Sequence, residues 1–364
     1  MDNIIIPQRP FKDFKSKIFN RETTPHEFSV LYQKMLDEQK KSIGRFRPWS
    51  WFLELTHGCN LQCGFCAARL LGRNNYKCMS LDTWKFAFDI ISEVSPICRI
   101  DMANLGEPTL NPNIYEMFKY AKETCPSIQL LMYTNGLTLM NGSVTYKKLF
   151  DSGLNMIFVD MYHPKERHIE LAKESGYEWM DADAPKESDI NLFELQKDHF
   201  IHRIALNRNP GNWPKKKQRR WQTWLNNLDW EAAKKFGLFP VKDAPDRRCD
   251  EPFKYPNIFY DGNYSLCCQD GMMEVAGKLG NVSSGVHGFF RYWLGEYMQA
   301  SRRMLDNKNR KDHPLCSRCK LADGRCDVPM WRNKDDAKGL TVNELLNYYW
   351  DGTKWIKLEP YMKK

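Results

Sequence analysis

Apolar spacing changes repeatedly between Trp49 and Leu206, and each change marks an element. Trp51–Leu55 (WFLEL) predicts a short strand. Ser80 then stands as an N-cap before Leu81, Trp84, Phe88, Ile91 and Val94, whose spacing of three to four residues predicts an amphipathic helix. Ile100–Leu105 predicts a strand, Ile114, Phe118 and Ala121 a helix, and Ile128–Tyr133 a second clear strand. A short helix precedes strand Asn155–Asp160, and a polar stretch precedes strand His202–Leu206. Strands that alternate with helices imply parallel pairing, in an α/β barrel or a doubly wound sheet.

Beyond the prolines at 240 and 245 the pattern turns to alternation. Asn257–Leu266 (NIFYDGNYSL) has apolar residues flanking Asp261-Gly262, which predicts a β-hairpin. The expected organisation is an N-terminal arm at 1–47, an α/β domain at 48–240, a small hairpin-containing domain at 241–333 and an extension at 334–364. The extension holds one amphipathic helical pattern, Leu340–Tyr348. No internal repeat is seen.

A chain of 364 residues has ample material for a core. Its 42% apolar and 13% aromatic content excludes a disordered or collagen-like chain. No apolar run approaches the ~18 residues that span a bilayer, and the N-terminus lacks a small-residue cleavage pattern. A cytoplasmic protein with no membrane partner is expected. The net charge of +9 is local: residues 199–228 hold seven basic and no acidic side chains, and the rest of the chain carries +2.

The twelve cysteines change the picture most. A long chain without a leader is not a disulfide scaffold, so clustered thiols point to metal. Cys59, Cys63 and Cys66 form a C-x3-C-x2-C loop directly after a strand. Three thiolates in one loop can hold three irons of a cubane cluster and leave the fourth open for a small molecule. The alternative is three corners of a zinc site, with His57 as the nearby fourth ligand.

With Asn60-Leu61 after the first cysteine and Phe65 before the third, this loop resembles the radical SAM superfamily. The resemblance continues in Gly106-Glu107-Pro108, like the family's segment for the amino group of S-adenosylmethionine, and in Thr134-Asn135-Gly136. It continues again in Ile157-Phe158-Val159-Asp160, where Phe158 replaces a common serine and Asp160 is kept for a ribose contact. It covers roughly residues 50–210 and implies a partial (β/α)6 TIM-like barrel. It also implies a [4Fe–4S] cluster whose open iron is chelated by the methionyl group. One electron cleaves the sulfonium, and the 5′-deoxyadenosyl radical removes hydrogen from a substrate. The implied cofactor-binding residues are Phe65, Gly106, Glu107, Pro108, Asn135 and Asp160. In a parallel barrel such residues belong at the C-terminal strand ends. No catalytic acid or base is identified.

Cys249, Gly262, Cys267 and the pair Cys316-x2-Cys319 resemble the C-terminal extension of SPASM and Twitch radical SAM enzymes. That resemblance implies one auxiliary [4Fe–4S] cluster held by Cys249, Cys267, Cys316 and Cys319, serving as an electron relay. Cys268 and Cys326 are rival ligands, and a four-thiolate zinc site is the alternative. Cys78, Cys98 and Cys125 read as buried apolar residues.

The basic stretch at 208–224 carries Trp213, Trp221 and Trp224 among its cations. Such a stretch can clamp phosphate and stack a ring, or it can be a solvated loop. The expected substrate is small and polar, sugar-like or nucleotide-like. The expected electron donor is a flavodoxin or ferredoxin. The alternatives are a peptide-modifying maturase and a non-enzymatic, metal-stabilised nucleic-acid-binding protein.

Overall fold

The computed structural model describes Pro48, residues 50–181 apart from 64, 65, 73, 96, 97, 127 and 163, residues 203–207, residues 249–319 apart from 250 and 255, and residues 347–358 apart from 352–354. The N-terminal arm, the basic stretch at 208–224 and Cys326 lie outside the described residues. So does the Leu340–Tyr348 pattern except for its end, where Tyr348 opens a short strand rather than closing a helix.

Six parallel strands form the centre of the sheet: β1 (Ser50–Leu53), β2 (Arg99–Met102), β3 (Gln129–Thr134), β4 (Met156–Asp160), β5 (Glu178–Asp181) and β6 (Arg203–Asn207). Their order is β1-β2-β3-β4-β6-β5, so β6 inserts between β4 and the edge strand β5. The architecture is a partial TIM-like α/β barrel, as the alternation of elements implies. Sequence patterning misses β5, because Glu178 and Asp181 bracket only Trp179 and Met180 and no apolar run announces it.

The predicted hairpin is present as β7 (Asn257–Ile258) and β8 (Tyr264–Ser265). It is not separate from the sheet. β7 pairs in parallel with β1, and the amides of Phe52 and Glu54 donate to the carbonyls of Pro256 and Ile258, both at 2.9 Å. The C-terminal hairpin therefore extends the barrel sheet.

Alternation along the strands divides the side chains between two faces. Trp51, Leu53, Ile100, Met102, Leu130, Met132, Ile157 and Val159 are buried in the main core. Helix α1 (Leu81–Val94) and helix α2 (Ile114–Thr124) contribute Trp84, Phe88 and Phe118 to that same core. Ser80 caps α1 by accepting from the Thr83 amide at 3.0 Å. The intervening positions, including Ser50, Asp101, Tyr133, Phe158 and Asp160, take the opposite, inner face. There Asp101 accepts from Arg99 Nε at 2.9 Å, a buried ion pair within β2, and from Ser50 Oγ at 3.0 Å, a hydrogen bond that ties this pair to β1.

Helix α3 (Gly285–Trp293) brings the C-terminal residues onto the same core, with Phe289 4.8 Å from Trp51 between ring centroids. No helix among the described residues is long and apolar enough to cross a membrane.

Trp84 is fully buried, and its indole donates to the Met117 carbonyl at 2.7 Å. Trp84→Ala is expected to cost about 3–5 kcal/mol. Ser80→Ala, which removes one cap, is expected to cost about 1 kcal/mol. Equilibrium denaturation of the two variants reads both values.

Candidate active site

The cysteine loop leaves β1 and is closed at its neck by Thr56–His57, which pairs antiparallel with Lys77–Cys78. Two glycines let this loop lie against the segment that follows β2. Gly58 has φ +106°, and its amide donates to the Leu105 carbonyl at 3.3 Å. A Cβ on Gly106 would stand 1.6 Å from the Thr56 carbonyl oxygen, so no other residue fits. Gly106 therefore has a packing duty in addition to any contact with a cofactor.

Two buried carboxylates organise the strand ends. Glu107 accepts from Thr109 N at 3.1 Å, Thr109 Oγ1 at 2.6 Å, Thr134 Oγ1 at 2.7 Å and Asn135 N at 2.7 Å. It thereby ties the end of β2 to the end of β3. Burial nevertheless raises its pKa above the usual carboxylate range. Glu54, at the end of β1, accepts from His57 Nδ1 at 3.1 Å, the Leu105 amide at 3.4 Å and the Tyr260 amide at 3.5 Å. Sequence reasoning misses Glu54; the signal is a lone acid inside the apolar run WFLEL.

Asn135 follows from the Glu107 clamp. Its amide Nδ2 donates to Cys59 Sγ at 3.4 Å and to Asn60 Oδ1 at 2.9 Å. Asp160 ends β4 and is close enough to Cys63 and Cys66 to raise both thiols. Tyr162, also missed by sequence, hydrogen-bonds the Cys63 thiol. On the inner face Tyr133 and Phe158 stack at 4.6 Å, and Tyr133 stays 36% exposed. Pro108 is buried and opens a short 3-10 turn. Phe65 lies outside the described residues.

Cys59, Cys63 and Cys66 thus meet at one place. Burial pushes Cys59 up to about 11 and Cys66 up to about 12, and Cys63 adds to both as a neighbouring like charge. Crowded thiols ionise together only when a cation compensates them.

The second thiol set gathers at the other end of the chain. Cys267 is buried and raised by burial first, then by Cys268, Cys316, Cys249 and Cys319 around it. Cys316 likewise responds to Cys249 and Cys319. Burial pushes Cys249 up to about 12, with Glu251 adding to it.

Two more residues missed by sequence hold these loops. Asp270 is fully buried and accepts from Ser265 Oγ at 2.6 Å and from the amides of Glu274, Val275 and Ala276 at 2.9–3.0 Å. His313 accepts with Nδ1 from the amides of Leu315 at 3.2 Å and Cys316 at 3.1 Å. Burial lowers its pKa to about 4, so the ring is neutral and its proton sits on Nε2, facing Ser301 Oγ at 2.9 Å. Cys268 is half-buried instead, with Gln269 Nε2 at 3.6 Å from its sulfur.

Among the described residues no three His, Cys, Asp or Glu side chains are grouped to hold a single metal ion. The fit to an iron–sulfur cluster rests on donor chemistry. One loop offers three thiols with a polar rim, and Cys249, Cys267, Cys316 and Cys319 are buried within electrostatic reach of one another, with Cys268 and Glu251 beside them. Soft thiolate sets of this kind suit iron–sulfur clusters.

Glu107→Gln keeps the shape but sets an N–H2 against donors that point at both oxygens. It is expected to cost about 1–3 kcal/mol. Amide exchange at 134–137 should rise well above that in the helices. A variant as stable as wild type, with unchanged exchange, would remove the clamp from the account.

The Radical SAM superfamily model matches residues 53–182, and the SPASM iron-sulfur cluster-binding domain model matches residues 249–320. The PqqA peptide cyclase of Bradyrhizobium diazoefficiens is 29% identical over 105 residues, which are 29% of this chain and 26% of that protein. The matched segment thus spans about a quarter of the curated relative's length. The crystal structure of BtrN in complex with AdoMet and 2-DOIA superposes with a TM-score of 0.51 at 17% identity, covering 74% of this chain and 91% of that one. Streptococcus suis SuiB bound to precursor peptide SuiA gives 0.43 at 14% identity, covering 82% and 76%. The radical SAM domain brings a [4Fe–4S] cluster and S-adenosylmethionine with it, and the SPASM domain brings auxiliary iron–sulfur clusters. Residues 53–182 thus carry a radical SAM domain, and residues 249–320 carry a SPASM domain on its C-terminal side.

Proposed function

We propose that this enzyme abstracts hydrogen from a small polar or nucleotide-like substrate. In this reading Cys59, Cys63 and Cys66 hold the S-adenosylmethionine-binding cluster, and Cys249, Cys267, Cys316 and Cys319 hold one auxiliary cluster as an electron relay. The observation that supports it is two separate thiol groups, Cys59, Cys63 and Cys66 on the loop after β1, and Cys249, Cys316 and Cys319 within electrostatic reach of Cys267, which follows β8 of the same sheet.

When bound, the first cluster and S-adenosylmethionine supply a 5′-deoxyadenosyl radical at the cost of one electron. The chain's own residues position and shield. Asn135 orients Cys59 through its amide. Glu107 Oε2 accepts one N–H, from Asn135, and retains a lone pair for an ammonium donor. Gly106, Glu107 and Pro108 are the segment we assign to the methionyl amino group, and Asp160 is the acceptor we assign to a ribose hydroxyl. The Tyr133–Phe158 stack offers a ring-sized apolar wall on the inner face. An electron donor of the flavodoxin or ferredoxin type completes the cycle.

A peptide substrate is the second reading. It is favoured by the match to the PqqA peptide cyclase, which spans 105 residues.

Anaerobic reconstitution followed by iron and sulfide counting tests the ligand assignment. Wild type should hold about eight irons, and Cys59→Ala/Cys63→Ala/Cys66→Ala about four. Only wild type should form 5′-deoxyadenosine. Zinc in place of iron at the second set would remove the relay. Deuterium transfer into 5′-deoxyadenosine from labelled nucleotides and sugars, set against peptides encoded beside the gene, decides the substrate class.

A further inference from the structure

Arg310 opens the 3-10 turn Arg310–Asp312 and is 3% exposed. A guanidinium does not give up its proton in a protein, so burying one requires negative charge or acceptors close by. Its Nη2 donates to the Cys319 carbonyl at 3.4 Å. The same guanidinium lies close enough to Cys249 and Cys316 to act on both electrostatically. One buried cation thus bonds the backbone of one assigned ligand, Cys319, and lies within electrostatic reach of two others, Cys249 and Cys316.

Its position is fixed by the same short segment that carries the ligands. The Arg310 carbonyl accepts from the His313 amide at 3.1 Å, and His313 Nδ1 accepts from the Cys316 amide at 3.1 Å. The guanidinium and the thiols therefore move together.

We propose that Arg310 is the built-in countercharge of the auxiliary centre and sets its reduction potential. This rests on the assignment of Cys249, Cys267, Cys316 and Cys319 to an iron–sulfur cluster. A cubane core held by four thiolates is a net anion, and taking up one electron from the donor deepens that charge. A fixed cation in a site with little water stabilises the reduced form more than the oxidised form. It therefore raises the midpoint potential, and it eases electron uptake by a centre that is otherwise hard to reduce.

The test is an EPR-monitored redox titration of full-length, reconstituted wild type, Arg310→Lys and Arg310→Gln. Iron and sulfide are counted first, and the auxiliary signal is identified as the one that persists in Cys59→Ala/Cys63→Ala/Cys66→Ala. Arg310→Gln should keep its iron and shift to a more negative midpoint, with Arg310→Lys lying closer to wild type. Loss of the second centre's iron in Arg310→Gln alone, with Arg310→Lys retaining it, also supports the countercharge. An unchanged midpoint in an iron-loaded Arg310→Gln overturns it. Loss of the centre in both variants overturns it too, because shape and not charge is then what Arg310 supplies. A wild type without iron at the second set fails the ligand assignment itself, which the initial count shows before any titration.

Discussion

A buried carboxylate must be met by donors, and in this protein the donors are the loops that carry the thiols. Glu54 gathers the neck of the cysteine loop, the end of β2 and the hairpin turn. Glu107 gathers the ends of β2 and β3 and sends Asn135 to Cys59. Asp270 does the same behind Cys267, with three backbone amides in a row. Each leaves an unmet charge if its loop moves away, a penalty far larger than the worth of any one hydrogen bond. The thiol loops lack regular secondary structure over most of their length, and these acids give them fixed positions.

Glu54 also explains why the C-terminal domain sits where it does. Its carboxylate receives the Tyr260 amide, its own amide donates to Ile258, and β7 lies alongside β1. His57 stacks on Tyr260 at 5.4 Å, two residues before Cys59. A change in the seating of the hairpin is thus felt at the cysteine loop through one carboxylate and one ring.

Much of the fold is legible in the chain. The 3.6-residue spacing of Trp84, Phe88, Ile91 and Val94 specifies a helix wherever it is placed, because those side chains must leave water together. The strand ends are legible for the same reason, and they fall where the short motifs require. β5 is not legible: at Glu178–Asp181 local composition opposes a strand, and pairing with β6 outweighs it. The hairpin is visible as a hairpin, but its union with the barrel sheet is not, because a two-residue parallel pairing leaves no mark on composition.

By itself the sequence determined the chemistry: which loop has three thiols, which residues stand at the strand ends, and that the chain alternates strand with helix. These depend on residues close together in the chain, where spacing translates directly into geometry. Only the tertiary structure decided how the distant parts meet. It brings Cys249 and Cys267 to Cys316 and Cys319. It turns Glu54 from a polar residue in an apolar run into a clasp, and it buries Arg310 against the Cys319 backbone. Those roles depend on burial and on partners tens to hundreds of residues away, and a charge declares its purpose only when the groups that compensate it are in place.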